Sequence, residues 1–244
     1  LEVAPEGLTS AESVRDLFVK LSEVGYDRKG VKTDKIFPEI IFCDEIHQLP
    51  LKGQEAFGIA MEQGILKSTL KIGGQKRSVK EWVPEFTLVG ATTEFGLLSK
   101  PFRDKFKLSF DFKTYTLEEM CKIVVFHAQQ KSLAIDAAAM IEIAKRSRGV
   151  PRFGVRYLDA TRDMMIVGNK EFISKEITNM TFSNLNINPD GLNEKDMIIL
   201  KSLQEYNKVG LEMLSILLNE SQRTIAQEYE PFLIRLGFMG RGSG

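Results

Sequence analysis

Apolar and polar positions alternate in blocks along the chain. Val14, Leu17, Phe18, Leu21 and Val24 recur at helical spacing and predict a helix over 11–24, stopped by Gly25. A polar loop from Asp27 to Lys35 leads to what reads as the first strand, Ile40-Ile41-Phe42-Cys43. That short continuous apolar run predicts a strand buried on both faces of a parallel sheet. It runs directly into Asp44, Glu45, Ile46 and His47. After Leu49-Pro50-Leu51, a second helix buries Ala56, Phe57, Ala60 and Met61 and ends at Gly64. Two β-like runs flank Gly73-Gly74 and predict a hairpin over 64–83. Phe86 to Thr93 predicts a second buried strand ending in small and hydroxyl residues, and Leu108 to Phe112 a third.

The pattern then becomes helical. Thr116 and Glu119 have the spacing of a capping box, followed by Leu117, Met120, Cys121, Val124, Val125 and Ala128 on one face. A helix from about Asp136 to Arg148 stops at Gly149, and another begins with Pro151 in its first turn, where a missing N–H costs nothing. A short helix follows Ser174. Asn188-Pro189-Asp190-Gly191 reads as a linker turn. Beyond it come helices from Asn193, over Leu211–Leu218, and over Ile225 to Leu236, with a kink expected at Pro231 and a strand starting at Phe238-Met239. Helix, short helix, turn, helix and strand predict a helix-turn-helix of winged type. The expected fold class is α/β followed by all-α, with domains at 1–113, 114–184 and 185–244.

Composition narrows the chemistry. The 33 basic and 33 acidic residues balance, so no global charge marks a nucleic-acid partner. Residues 185–244 carry six basic against eight acidic residues, so any grip on DNA there must be local. No apolar run approaches the ~20 residues of a membrane span, and no signal peptide is visible at Leu1. Cys43 and Cys121 read as core thiols of a cytoplasmic protein. His47 and His127 lie in no metal-ligand spacing. Trp82 reads as packing the hairpin base. The hairpin is basic (Lys67, Lys71, Lys76, Arg77 and Lys80 against Glu81), which suits a phosphate backbone, a partner protein or simply a solvated edge. Asp44 and Glu45 emerge at a strand end, where nucleotide chemistry sits in parallel sheets; an Asp there can hold Mg²⁺ and a neighbouring acid can polarise water. The plain alternative is that the two acids end a strand and cap the next element.

The order of parts resembles the AAA+ ATPases, with a partial P-loop NTPase core, a helical lid and a winged helix. The resemblance is closest to the RuvB-like family of bacterial Holliday-junction branch-migration motors. It rests on Asp44-Glu45-Ile46-His47, the run Phe86 to Thr93, Pro101-Phe102-Arg103-Asp104-Lys105-Phe106, the run Arg146 to Arg152, and Tyr229 to Ile234, over about residues 36–240. The resemblance implies ATP and Mg²⁺ as cofactors, with Asp44 in the Mg²⁺ shell and Glu45 activating water. It implies Thr93, with Thr92, as the sensor and Arg152 as the lid arginine meeting the phosphates. It further implies a hairpin that docks a RuvA-like junction-binding protein through Leu66, Leu70 and Ile72. Arg223, Arg235 and Arg241 would face branched duplex DNA in a homo-hexamer whose sites are each completed by a neighbour's arginine.

The sequence departs from the family pattern in two places. No G-x-x-x-x-G-K-[ST] occurs in the chain, so the phosphate cradle is expected upstream of Leu1 and the chain alone is expected to bind ATP poorly. The finger arginine is replaced by Lys105, with Arg103 two residues earlier as a candidate substitute; Lys cannot make the planar bidentate contact of Arg. The tail after the last helix is also short for a wing. These departures leave a second reading open, a non-catalytic AAA+ relative that binds DNA or a partner. A clamp-loader or initiator plan fits less well, because a winged helix stands where a collar would.

Overall fold

Three parallel strands organise the first part of the molecule. The computed structural model describes residues 1–8, 10–23, 39–72 and 75–242, and divides into a unit of Leu1–Asp111 and a unit of Phe112–Gly244. The first contains β1 (Glu2–Val3), α1 (Ala11–Glu23), β2 (Glu39–Cys43), α2 (Leu51–Gln63), β3 (Ile65–Ile72), β4 (Gln75–Trp82), β5 (Phe86–Gly90) and the short α3 (Lys100–Arg103). The sheet order is β1-β2-β5, with Ile41 opposite Leu88 and Cys43 opposite Gly90. Parallel neighbours need a crossover, and here α2 and the β3–β4 hairpin supply it. Both carboxyl ends therefore emerge side by side. The ladder continues past them, with Ala91 N–H donating to Cys43 O at 3.0 Å and Ile46 N–H to Ala91 O at 2.9 Å. Gly90 leaves room there for the Ile46 side chain, since a Cβ would lie 2.8 Å from Ile46 Cδ1 and the side chain would have to shift.

The core of this unit joins Ile41, Cys43 and Leu88 from the sheet to Val14 and Phe18 of α1 and Phe57 and Ala60 of α2. Phe18 packs edge-on against both Phe57 and Phe86. Burial pushes the Cys43 thiol up to about 11, aided by the negative charge of Asp44.

Several expectations are corrected here. β1 precedes the strand read as first, because Glu2–Val3 pairs in parallel with Phe42 and Cys43. β2 is not buried on both faces: Ile40 is 60% exposed and Val89 of β5 43%, because α1 and α2 both contribute to the core that takes the opposite side chains. Leu108–Phe112 is not a strand; it finds no ladder partner among the described residues, and Leu108, Phe110 and Phe112 are exposed. Trp82 does not pack the hairpin base and is 85% exposed. The predicted stop at Gly25, the loop Asp27–Lys35 and the turn Gly73-Gly74 lie outside the described residues. The flanking strands β3 and β4 pair in antiparallel register from Ile65–Trp82 to Ile72–Gln75, as a hairpin requires.

The second unit holds two helical cores. α4 (Leu117–Gln130), α5 (Ala137–Arg146), α6 (Pro151–Val167) and α7 (Lys175–Asn184) enclose Met120, Val124, Ile143, Leu158 and Phe182. The Thr116–Glu119 capping box starts α4, Asp136 caps α5, Pro151 sits in the first turn of α6, and Ser174 caps α7. Leu117, expected on the buried face, is half exposed because it lies in the first turn, outside that core. α8 (Glu194–Tyr206), α9 (Leu211–Leu218), the short α10 (Gln222–Thr224) and α11 (Glu230–Arg235) enclose Leu192, Ile199, Leu214, Ile225 and Leu233. Between α10 and α11, Ile225–Tyr229 forms a π-helix. Pro231, which lacks an N–H and falls in the first turn of α11, accounts for the break in register. Phe238-Met239 does not begin a strand, as no partner strand stands beside it among the described residues.

The two helical cores meet at a buried cation. Arg148 takes a positive φ of 58° beside Gly149 at 72°, where a Cβ would lie 2.6 Å from Tyr115 O. Its guanidinium pairs with fully buried Asp196, donates to Gly191 O at 3.0 Å and lies 4.2 Å over the Phe232 ring. Asp196 also closes the capping box of α8 with Asn193. Arg235 donates to Arg148 O at 2.6 Å.

Two measurements check this description. Asp196→Ala strands a buried guanidinium and removes a cap, and is expected to cost about 3–5 kcal/mol in urea unfolding. An Arg148→Met, Asp196→Leu pair recovers most of that loss. Cys43 should alkylate about a hundredfold more slowly at pH 8 than an unperturbed thiol, and after Cys121, when followed by mass spectrometry.

Candidate functional site

Two strand ends carry the site. Asp44 follows β2 directly, its carboxylate exposed, with Oδ1 accepting from the Glu45 N–H at 3.0 Å. Glu45 adopts the left-handed conformation, φ 49° and ψ 45°, which an L-residue other than Gly, Asn or Asp rarely takes. That turn aims its side chain at the end of β5. Thr93 donates its backbone N–H to Glu45 Oε2 at 3.1 Å, and its hydroxyl lies 3.2 Å from Oε1 and 3.1 Å from Oε2. The structure thus brings Asp44, Glu45, Thr92 and Thr93 together, 48 residues separating Glu45 from Thr93.

A histidine links the same two ends. The His47 side chain is 4% exposed. Its Nδ1 lies 3.1 Å from Glu45 Oε2 and 2.9 Å from Thr92 Oγ1, and its Nε2 lies 3.3 Å from Glu94 Oε2. Thr92 Oγ1 also accepts from the Glu94 N–H at 3.0 Å. His47 and Glu94 were not candidates from the sequence. The available signal was local: His47 stands two positions beyond Glu45 and Glu94 directly after the Thr pair, but only the strand register shows that the two stretches meet.

The finger candidates stand apart from this cluster, around α3. Lys105 Nζ pairs with Glu62 Oε2 of α2 at 2.7 Å. Arg103 lies 5.1 Å from the Phe95 ring centroid, and its buried Nε has no hydrogen-bond partner among the described residues. Of the hairpin candidates, Leu66 is buried in the core of the first unit rather than displayed, and the side chains of Leu70 and Ile72 lie outside the described residues.

In the second unit, Arg152 is exposed in the first turn of α6. Arg223 is exposed on α10. Arg235 faces the Arg148 carbonyl and Phe232, and burial with the neighbouring Arg148 charge holds its guanidinium below its ordinary range. Arg241 reaches Glu230 from Nε at 3.0 Å and Nη2 at 2.7 Å.

The donor set suits Mg²⁺ and lacks a phosphate cradle. Mg²⁺ is commonly held by one or two carboxylates, waters and substrate phosphates, and Asp44 offers one exposed carboxylate. No cluster of three metal-ligating side chains occurs among the described residues. No glycine-rich phosphate loop occurs in the sequence. Chemically, the cluster can hold a carboxylate, Glu45, beside a hydroxyl and an exposed second acid, an arrangement able to accept a proton from water.

Comparison with known proteins identifies the setting. The Holliday junction DNA helicase RuvB P-loop domain matches residues 27–112, the RuvB AAA lid domain 115–188 and the RuvB C-terminal winged helix domain 189–244. The Holliday junction branch migration complex subunit RuvB of Orientia tsutsugamushi is 38% identical over 218 residues, covering 88% of this chain and 67% of that protein. The same subunit of Fervidobacterium nodosum is 36% identical, with 89% and 63% covered. This chain thus spans about two thirds of the length of these relatives. The solved structure of the Thermotoga maritima RuvB Holliday junction branch migration motor superposes with a TM-score of 0.78 at 31% identity, covering 99% of this chain and 72% of that one. With an AAA+ core of parallel strands, a helical lid and a winged-helix region matched in sequence and in structure, this chain belongs to the RuvB family.

Proposed function

We propose that this chain is the greater part of an ATP-driven motor subunit that moves branched duplex DNA. The observation that supports this most directly is the Glu45 carboxylate held by both the N–H and the hydroxyl of Thr93, beside the exposed Asp44. In this reading Asp44 would hold Mg²⁺, and Mg²⁺ would supply the neutralisation of phosphate charge that hydrolysis of ATP needs. Glu45 Oε accepts the proton of the attacking water. The Thr93 hydroxyl orients that carboxylate, and Arg152 meets a phosphate. Arg103 or Lys105 serves the site of a neighbouring subunit in a homo-hexamer. The exposed Arg223 contributes to the grip on DNA, with Arg235 at the end of the last helix and Arg241 beyond it, and the β3–β4 hairpin docks a RuvA-like partner. The cytoplasm is the compartment that fits these roles, and no described helix is long and apolar enough to cross a membrane.

A second reading has one observation behind it. Lys105 stands where the family has its finger arginine and is engaged by Glu62. A finger arginine contributes about 10³–10⁵ in rate, so its loss suits a relative that binds DNA or a partner without turnover.

The test is hydrolysis by the product of the whole reading frame, with and without four-way junction DNA. Junction-stimulated ATPase that falls at least about a hundredfold in Glu45→Gln is expected for a general base. Hydrolysis unchanged in that variant overturns the role of Glu45. Salt-dependent DNA binding with no nucleotide effect and no hydrolysis supports the second reading instead.

A further inference from the structure

Beside Thr93, Glu45 meets His47, the last residue of the acid block, for which the reading above gives no function. His47 is buried, yet it lies among Glu45, Thr92 and Glu94 rather than in the apolar core. It sits in the single 3₁₀ turn that follows β2, while its partners Thr92 and Glu94 follow β5. A buried imidazole is costly unless it has polar partners, and here Nδ1 faces Glu45 Oε2 and Thr92 Oγ1 while Nε2 faces Glu94 Oε2. Glu45 itself occupies a backbone region that persists only when its surroundings over-determine it. The turn and the ring therefore act together: the left-handed backbone aims the carboxylate, and the ring fixes where it stops.

We propose that His47 is the positioning residue of this site. It ties the end of β2 to the end of β5 and sets the Glu45 carboxylate against the N–H and hydroxyl of Thr93. Glu94 anchors the far side of the ring, and Thr92 Oγ1 bridges the ring to the Glu94 backbone. The ring does not touch the reacting atoms. It acts through Glu45, so its value to catalysis rests on the reading of Glu45 given above, while its value to geometry does not.

Two readouts separate those two dependencies. The first is hydrogen exchange of the Thr93 amide, followed by NMR in the chain of 244 residues. His47→Ala is expected to speed that exchange about tenfold or more, since the acceptor of the amide loses its fixed position. His47→Asn, whose amide carries both a donor and an acceptor near the Nδ1 position, is expected to return exchange close to wild type. Should His47→Ala fail to fold, Glu94→Ala removes the anchor from outside the core and is expected to speed exchange in the same direction. Exchange unchanged in the folded variants overturns the proposal.

The second readout is the ATPase of the whole product. His47→Ala is expected to lower kcat about tenfold or more at unchanged KM for ATP, with recovery in His47→Asn. A wild-type protein without ATPase defeats the motor reading but leaves the amide result to decide the placement. Normal kcat in a His47→Ala protein whose Thr93 amide exchanges fast shows that the positioning does not serve hydrolysis, and overturns the catalytic half of the proposal.

Discussion

The parallel pairing of β2 with β5 is the constraint on which the candidate site depends. Parallel strands send both carboxyl ends to one edge, and the register that places Cys43 opposite Gly90 brings Glu45 and Thr93 within hydrogen-bond distance. A one-residue slip would turn each side chain to the other face. The register is held by burial, since Ile41 and Leu88 are opposite one another in the same core. It is also held by the two bonds beyond the strands, at Ala91 and Ile46. Gly90 admits the close approach of Ile46 that completes this closure. The chemistry at the tip is thus a consequence of packing below it.

The second unit follows a different physical logic. Two apolar helical cores are joined at a charged residue, Arg148, whose guanidinium has an acid, a carbonyl and an aromatic face around it. A buried pair of this kind is weak evidence for added stability, because desolvation offsets most of the attraction. Its distinguishing property is specificity. Asp196 cannot both cap α8 and pair with Arg148 unless the two helical groups keep one arrangement. The same engagement draws Arg235 toward the Arg148 carbonyl.

Much of this was legible along the chain. The capping box at Thr116, the caps at Asp136, Ser174 and Asn193, and Pro151 in a first turn are local devices whose partners lie within three residues, so they read directly. Local chemistry also placed the two-run hairpin. What failed was whatever depended on a distant neighbour. Ile40 and Val89 are as apolar as a doubly covered strand requires, but burial is a property of what lies on each face. Leu108, Phe110 and Phe112 alternate as strand residues do, yet a strand exists only where a partner ladder stands beside it. Trp82 has the bulk of a core residue and projects outward.

Local chemistry along the chain sets the class of parts and their order: an acid-tipped strand, a threonine-tipped strand, a capped helical array and a three-helix C-terminal region, and with them the family. Those features are set by nearest neighbours along the chain. Which side chains share a site is set in three dimensions, by strand register and packing. Glu45, His47, Thr92, Thr93 and Glu94 form one cluster because parallel strands 47 residues apart pair in a single register, and no spacing rule carries that information. The same holds for Lys105 with Glu62 and Arg148 with Asp196, contacts made through space between groups the chain keeps far apart.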